Sequence, residues 1–156
     1  HYQLLLRLGR ACGLEDEEMT SHEPLPSSRT AFDYWWRMAR QPDWLLGFAA
    51  INGTEILGDK TLPARYGLQQ GTGLAVDPWA HLELSARDLE FFRVGDTADV
   101  GHGNEAVNIL TRFSGSGERE QQVLDALRAT ISVMRRMLDG ILDLERALRE
   151  RHSRTD

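Results

Sequence analysis

Near the end of the chain Val123, Leu127, Thr130, Met134, Met137, Ile141, Leu144 and Leu148 recur at intervals of four and three residues, and Leu124, Ile131 and Leu138 widen the stripe. Apolar residues at that period line one face of an α-helix. The spacing therefore predicts one long helix with a broad buried face, ending in arginines at 146, 149, 151 and 154 that suit the negative end of a helix dipole. Such a stripe is hidden most simply by other helices, and the rest of the chain supplies them.

Leu4, Leu5 and Leu8 have helical spacing from residue 1 to about 11, and Gly13 stands where a helix stops. Residues 15–29, with Pro24 and Pro26, read as a loop or a short turn of helix. Ser27 or Ser28 is placed to cap a helix to about residue 40 with Phe32, Trp35, Trp36 and Ala39 as its apolar face. After Gln41-Pro42, Asp43 caps a third helix reading from Trp44 toward Lys60 and onward to Tyr66. Its Gly47, Gly53 and Gly58 each cost about 1 kcal/mol relative to alanine but admit a close neighbour. Gln69 to Gly73 reads as a loop. Asp77-Pro78 opens a helix over 79–95 that breaks near Gly95, and another covers 98–113. Ser114-Gly115-Ser116-Gly117 is a turn. There is no alternation of strand type, and helices joined by short loops imply an all-α antiparallel bundle.

With 156 residues, 41% hydrophobic, the chain is expected to form a single helical domain spanning 1–156. No apolar run approaches the length of a membrane span, and a net charge of −6 argues against a nucleic-acid surface. The lone Cys12 forms no internal disulfide, which makes the cytoplasm the expected compartment. Lys60 is the only lysine beside 17 arginines, and the chain opens at His1 inside an apolar helical run, as the back end of a helix would.

Chemistry is suggested most by Asp99 and His102, a carboxylate and an imidazole three residues apart on one helix face. That pair is able to share a metal ion; it is also the pattern of a solvated, hydrogen-bonded pair. His81 and Glu83, two residues apart, point to different helix faces, while His22 and His152 fall in polar loops or termini. Trp35-Trp36 and Phe91-Phe92 read as core, with a pocket-lining role open to whichever member faces inward.

The order Glu55-Ile56-Leu57-Gly58-Asp59-Lys60, Tyr66-Gly67-Leu68 and Phe91-Phe92-Arg93-Val94-Gly95-Asp96-Thr97-Ala98-Asp99-Val100-Gly101-His102 resembles the heme-oxygenase-like superfamily. Within it the similarity is to the branch of pyrroloquinoline-quinone-synthase-like and thiaminase-like proteins and heme-oxygenase-like diiron oxidases. His1-Tyr2-Gln3-Leu4-Leu5 followed by Gly13-Leu14 resembles the same branch. The resemblance implies a seven-helix fold, often dimeric, of which this chain would be the C-terminal two-thirds. In the diiron branch it implies iron held by carboxylates and histidines. Carried over residue by residue, His1, Asp99 and His102 match metal ligands, the last two closing the pattern His-x-x-x-Asp-x-x-His. Gly95 stands where that pattern opens, and Ala50 where the middle helix would offer glutamate. Asp96, Glu55, or His81 with Glu83 are the available substitutes.

Lys60 matches a lysine found in part of the diiron branch and is a candidate catalytic residue, able to react or to bind an anion; a surface lysine at a helix end is the other reading. Tyr66 is a second catalytic candidate, and Trp36 a pocket candidate. The resemblance implies an oxidoreductase using one or two iron ions and dioxygen on a small-molecule substrate, as a homodimer. A metal-free enzyme resembling pyrroloquinoline-quinone synthase, or a noncatalytic bundle that binds small molecules, are the alternatives.

Overall fold

The computed structural model describes residues 1–21, 23–65 and 77–153; Tyr66, the loop expected at 69–73 and His22 lie outside them. Every regular element among these residues is helical: α1 (Tyr2–Ala11), α2 (Asp16–Ser21), α3 (Pro26–Ala39), α4 (Trp44–Gly58), α5 (Leu62–Arg65), a 3₁₀ segment (Asp77–Leu82), α6 (Glu90–Ser114) and α7 (Glu118–His152). None of them is long and apolar enough to cross a membrane. They form two compact units, one of His1–Glu23 with Glu55–Ile109 and one of Pro24–Thr54 with Leu110–Asp156.

In the first unit α1 ends as its sequence requires. Gly13 takes φ +88°, the Leu14 N–H donates to Gly9 O and the Gly13 N–H to Arg10 O, the paired bonds of a Schellman cap that only a residue tolerant of positive φ permits cheaply. Arg10 then holds Asp16 at the start of α2 through two bonds of 2.6 and 2.7 Å. Leu8, Leu89 and Phe92 are buried together, with Trp79, Leu84 and Phe91 packed against them.

The helix expected over 79–95 is divided. The 3₁₀ segment stops at Leu82, Glu83 takes φ +53°, and a reciprocal cap follows in which the Ser85 N–H donates to Asp88 Oδ2 and the Asp88 N–H to Ser85 Oγ. Ser-x-x-Asp is a helix-start signal in its own right, and here it closes the turn that leads into α6. That helix then passes through Gly95 without the expected break. One glycine costs only about 1 kcal/mol, and α6 is anchored by buried Phe92 before it and Ala106 and Leu110 after it.

In the second unit α3 begins at Pro26, and its N-cap is Leu25 rather than Ser27 or Ser28. Proline needs no N–H partner in a first turn, so the helix starts there. Its buried residues are Ala31 and Tyr34, while Phe32 and Trp36 are exposed. The expected face is thus rotated, because the tyrosine hydroxyl reaches the backbone carbonyl of Ala126 at 3.2 Å and draws that side of α3 onto α7. Ser27 lies against Gly140 and Tyr34 against Ala126, so α3 and α7 run antiparallel. A side chain at Gly140 would collide with Ser27 Oγ at 2.1 Å.

Asp43 caps α4 as its sequence predicts, accepting the Leu45 N–H at 3.1 Å, and also pairs with Arg119. Ala50 is wholly buried with Ala31, Tyr34 and Val133, and Thr130 Oγ1 donates to the Ala50 carbonyl at 2.8 Å. The long helix α7 is present over 35 residues, but its buried face is narrower than the stripe implied. Val123, Ala126, Thr130 and Val133 are buried, whereas Leu124, Ile131, Leu138, Ile141, Leu144 and Leu148 are exposed. Helix α3 has 14 residues and covers one narrow strip of a helix more than twice its length.

Candidate metal centre

The C-terminal end of α4 and the middle of α6, the parts of these helices that lie in the first unit, build the site. Helix α4 carries one charged residue, Glu55, in the otherwise uncharged sequence WLLGFAAINGTEILG. Helix α6 runs antiparallel to this end of α4, since Glu55 meets His102 and Lys60 meets Asp96. The close approach depends on two glycines. A Cβ on Gly58 would lie 2.2 Å from Asp99 Oδ2, and one on Gly103 would lie 2.6 Å from Asp59 Cβ and 3.1 Å from the Glu55 carbonyl oxygen.

Glu55, Asp99 and His102 thereby each place a ligand-type atom within 4.8 Å of the others. His102 Nδ1 lies 3.2 Å from Glu55 Oε2. The imidazole is 55% exposed and the Glu55 side chain 36%, so the group is reachable by a small molecule. The Asp99 carboxyl is pushed up to about 6, by burial first, then by the negative charge of Glu55 and a hydrogen bond with it; Asp96 adds to this and His102 opposes it.

Two carboxylates and an imidazole converging on one point fit a metal ion. The Asp99 carboxyl is raised by burial first and by the neighbouring Glu55 charge second, and a cation bound between the two acids would oppose both. Oxygen donors supported by imidazole suit iron.

The structure brings Asp99 and His102 together but does not add His1, whose ring instead meets Phe91 edge-on at 6.3 Å. Nor does Ala50 stand at this point of α4. The carboxylate that α4 brings to the site is Glu55, five residues on, about 140° around the helix from Ala50 at 100° per residue. Its signal in the sequence was its isolation, the one charge on an apolar helix. Asp96 pairs with Lys60. Helix α4 does not continue to Tyr66; it stops at Gly58, and Asp59 Oδ1 takes the Thr61 N–H at 2.8 Å and the Thr61 hydroxyl at 2.6 Å in a tight turn that presents Lys60. In the second unit, Trp36 lines an open apolar groove of about 550 Å³ with Phe32, Trp35 and Ile51.

Residues 1–135 match a protein family described as iron-containing redox enzyme. The chain belongs to that family. With it comes the heme-oxygenase-like superfamily and its all-α bundle, in agreement with the helices above. Among curated relatives, a 4-aminobenzoate synthase of Nitrosomonas europaea is 26% identical over 132 residues, 84% of this chain and 50% of that protein. The chain spans about half the length of the curated relative it matches. The acidic and imidazole group on α4 and α6 falls inside the stretch that matches this family.

Proposed function

We propose that Glu55, Asp99 and His102 bind iron and that the chain is an oxidoreductase acting with dioxygen on a small metabolite. The observation that carries this reading is the convergence of three donor side chains within 4.8 Å in a member of an iron-containing redox family. Glu55 and Asp99 bind and offset the charge of the ion, and His102 adds a nitrogen donor whose orientation is fixed by its contact with Glu55. Iron held by these residues would supply redox chemistry toward dioxygen. The 4-aminobenzoate synthase supports an organic substrate of metabolite size.

The test is reconstitution with ferrous iron under nitrogen, followed by metal analysis and oxygen-electrode measurement on admission of air. Bound iron and oxygen uptake are both expected, and both are expected to fall in Glu55→Ala, Asp99→Ala and His102→Ala. A wild-type protein without iron, or iron retained by all three variants, would overturn the reading.

A further inference from the structure

The side chains that border Glu55, Asp99 and His102 decide how many ions the site can hold. Asp96, three residues before Asp99 on α6, pairs with Lys60. Asp59, four residues after Glu55, is 1% exposed. Its Oδ1 accepts the Thr61 N–H at 2.8 Å and the Thr61 hydroxyl at 2.6 Å. Its Oδ2 is enclosed without a hydrogen-bond partner, and it faces the backbone of Gly103 so closely that a Cβ there would lie 3.0 Å away. A metal ion sits about 2.1 Å from a carboxylate oxygen, so an ion at Asp59 Oδ2 would have to part α4 from α6 at Gly103.

The other candidates are further from service. His1 turns its ring to Phe91. Gly95 has no side chain where the pattern His-x-x-x-Asp-x-x-His would open, and Ala50 is buried with Ala31, Tyr34 and Val133. Residues 66–76 contain no His, Cys, Asp or Glu. Among the described residues, Glu55, Asp99 and His102 are therefore the donors that converge.

Three side chains suffice for one ion, as two histidines and one carboxylate do in a class of non-haem iron oxygenases. Two ions about 3.5–4 Å apart would need donors beyond both ends of a group whose ligand atoms all lie within 4.8 Å of one another. We propose that this chain holds a single iron ion, in place of the pair that its resemblance to the diiron branch implies. The proposal rests on the iron-binding reading given above. Passing from ferrous to ferric, the protein then stores one electron per chain, where an iron pair stores two.

Ferrous iron is titrated under nitrogen into wild type, Glu55→Ala, Asp59→Asn and Asp96→Asn, with bound metal counted after gel filtration and helicity followed by circular dichroism. The wild type is also loaded with manganese(II) for electron paramagnetic resonance. Iron is expected to saturate at one ion per chain in wild type, Asp59→Asn and Asp96→Asn, and to be lost in Glu55→Ala. The manganese spectrum should be the six-line pattern of an isolated ion. Saturation at two ions, or the spectrum of an exchange-coupled manganese pair, would overturn this proposal and leave iron binding standing. Loss of iron in a helical Asp59→Asn or Asp96→Asn would make that carboxylate a ligand and overturn the three-donor site. A wild type that takes up no iron would overturn the metal reading first and this one with it.

Discussion

Adding one methyl group at Gly58 puts a carbon atom 2.2 Å from Asp99 Oδ2, 2.9 Å from its Cγ and 3.2 Å from its Cβ. The first distance is roughly 1 Å short of ordinary van der Waals contact. Because Cγ as well as Oδ2 is crowded, the carboxylate has to swing about χ1, while the contact to Cβ, which χ1 does not move, is relieved by a few tenths of an ångström in the backbone. Coordinating groups have to be held to within about 0.5 Å of their working positions. Displacing one by about 1 Å should weaken metal binding at least as much as loss of an outer-shell partner does, about 10- to 100-fold. Gly58→Ala should still fold, because the obstructing atoms belong to a side chain and alanine favours helix over glycine by up to about 1 kcal/mol. Gly101→Ala is the control. It lies on α6 between Asp99 and His102, and a Cβ there meets nothing within 4 Å. Ferrous iron titration with circular dichroism on the same samples should show Gly58→Ala helical but 10- to 100-fold weaker, and Gly101→Ala equal to wild type. Equal iron affinity in Gly58→Ala and wild type would refute the reasoning.

The Asp99 carboxyl should titrate near 6 in the metal-free protein, by carboxyl carbon NMR, and Glu55→Gln should lower that midpoint; a midpoint in the ordinary range near 3.8 would contradict the described burial and pairing. Because the folded value is raised, the stability that Asp99 contributes is complete below its unfolded value and is lost as pH rises through about 6, so metal-free Asp99→Asn should outlast wild type on heating at pH 8. Metal has to displace the same proton, so iron binding should weaken as pH falls below 6. Thr130→Val keeps shape and removes the bond to the Ala50 carbonyl, which should cost about 1 kcal/mol and lower Tm by roughly 2–4 °C with iron binding intact; an unchanged Tm would show that the bond contributes nothing. Asp43→Asn keeps a capping oxygen for the Leu45 N–H and loses only the charge facing Arg119, so it should be more stable than Asp43→Ala in a thermal melt.

Where local chemistry decides an element, the sequence was readable. Gly13 stops α1 because the Schellman geometry needs positive φ there, Asp43 starts α4 with its own carboxylate, and Gly115 and Gly117 turn the chain at positive φ. Where a distant partner decides, periodicity alone fell short. Trp36 and Phe32 look as apolar as Ala31 and Tyr34, yet the Tyr34 hydroxyl, by reaching Ala126, selects which side of α3 faces α7. The stripe on α7 is longer and wider than what α3 can cover, and no pattern within α7 says so. At the site, Asp99 and His102 were legible from their spacing of three, but Glu55 lies 44 residues before Asp99 in sequence. Only the antiparallel register of α4 and α6, made possible by Gly58 and Gly103, brings it to them.

The most direct measurement is anomalous diffraction at the iron absorption edge from crystals grown with ferrous iron under nitrogen. A peak among the Glu55 carboxylate, the Asp99 carboxylate and a ring nitrogen of His102 is the expected result. A peak elsewhere on the chain, or none from crystals shown to contain the loaded protein, would contradict the assignment of these residues as the iron site.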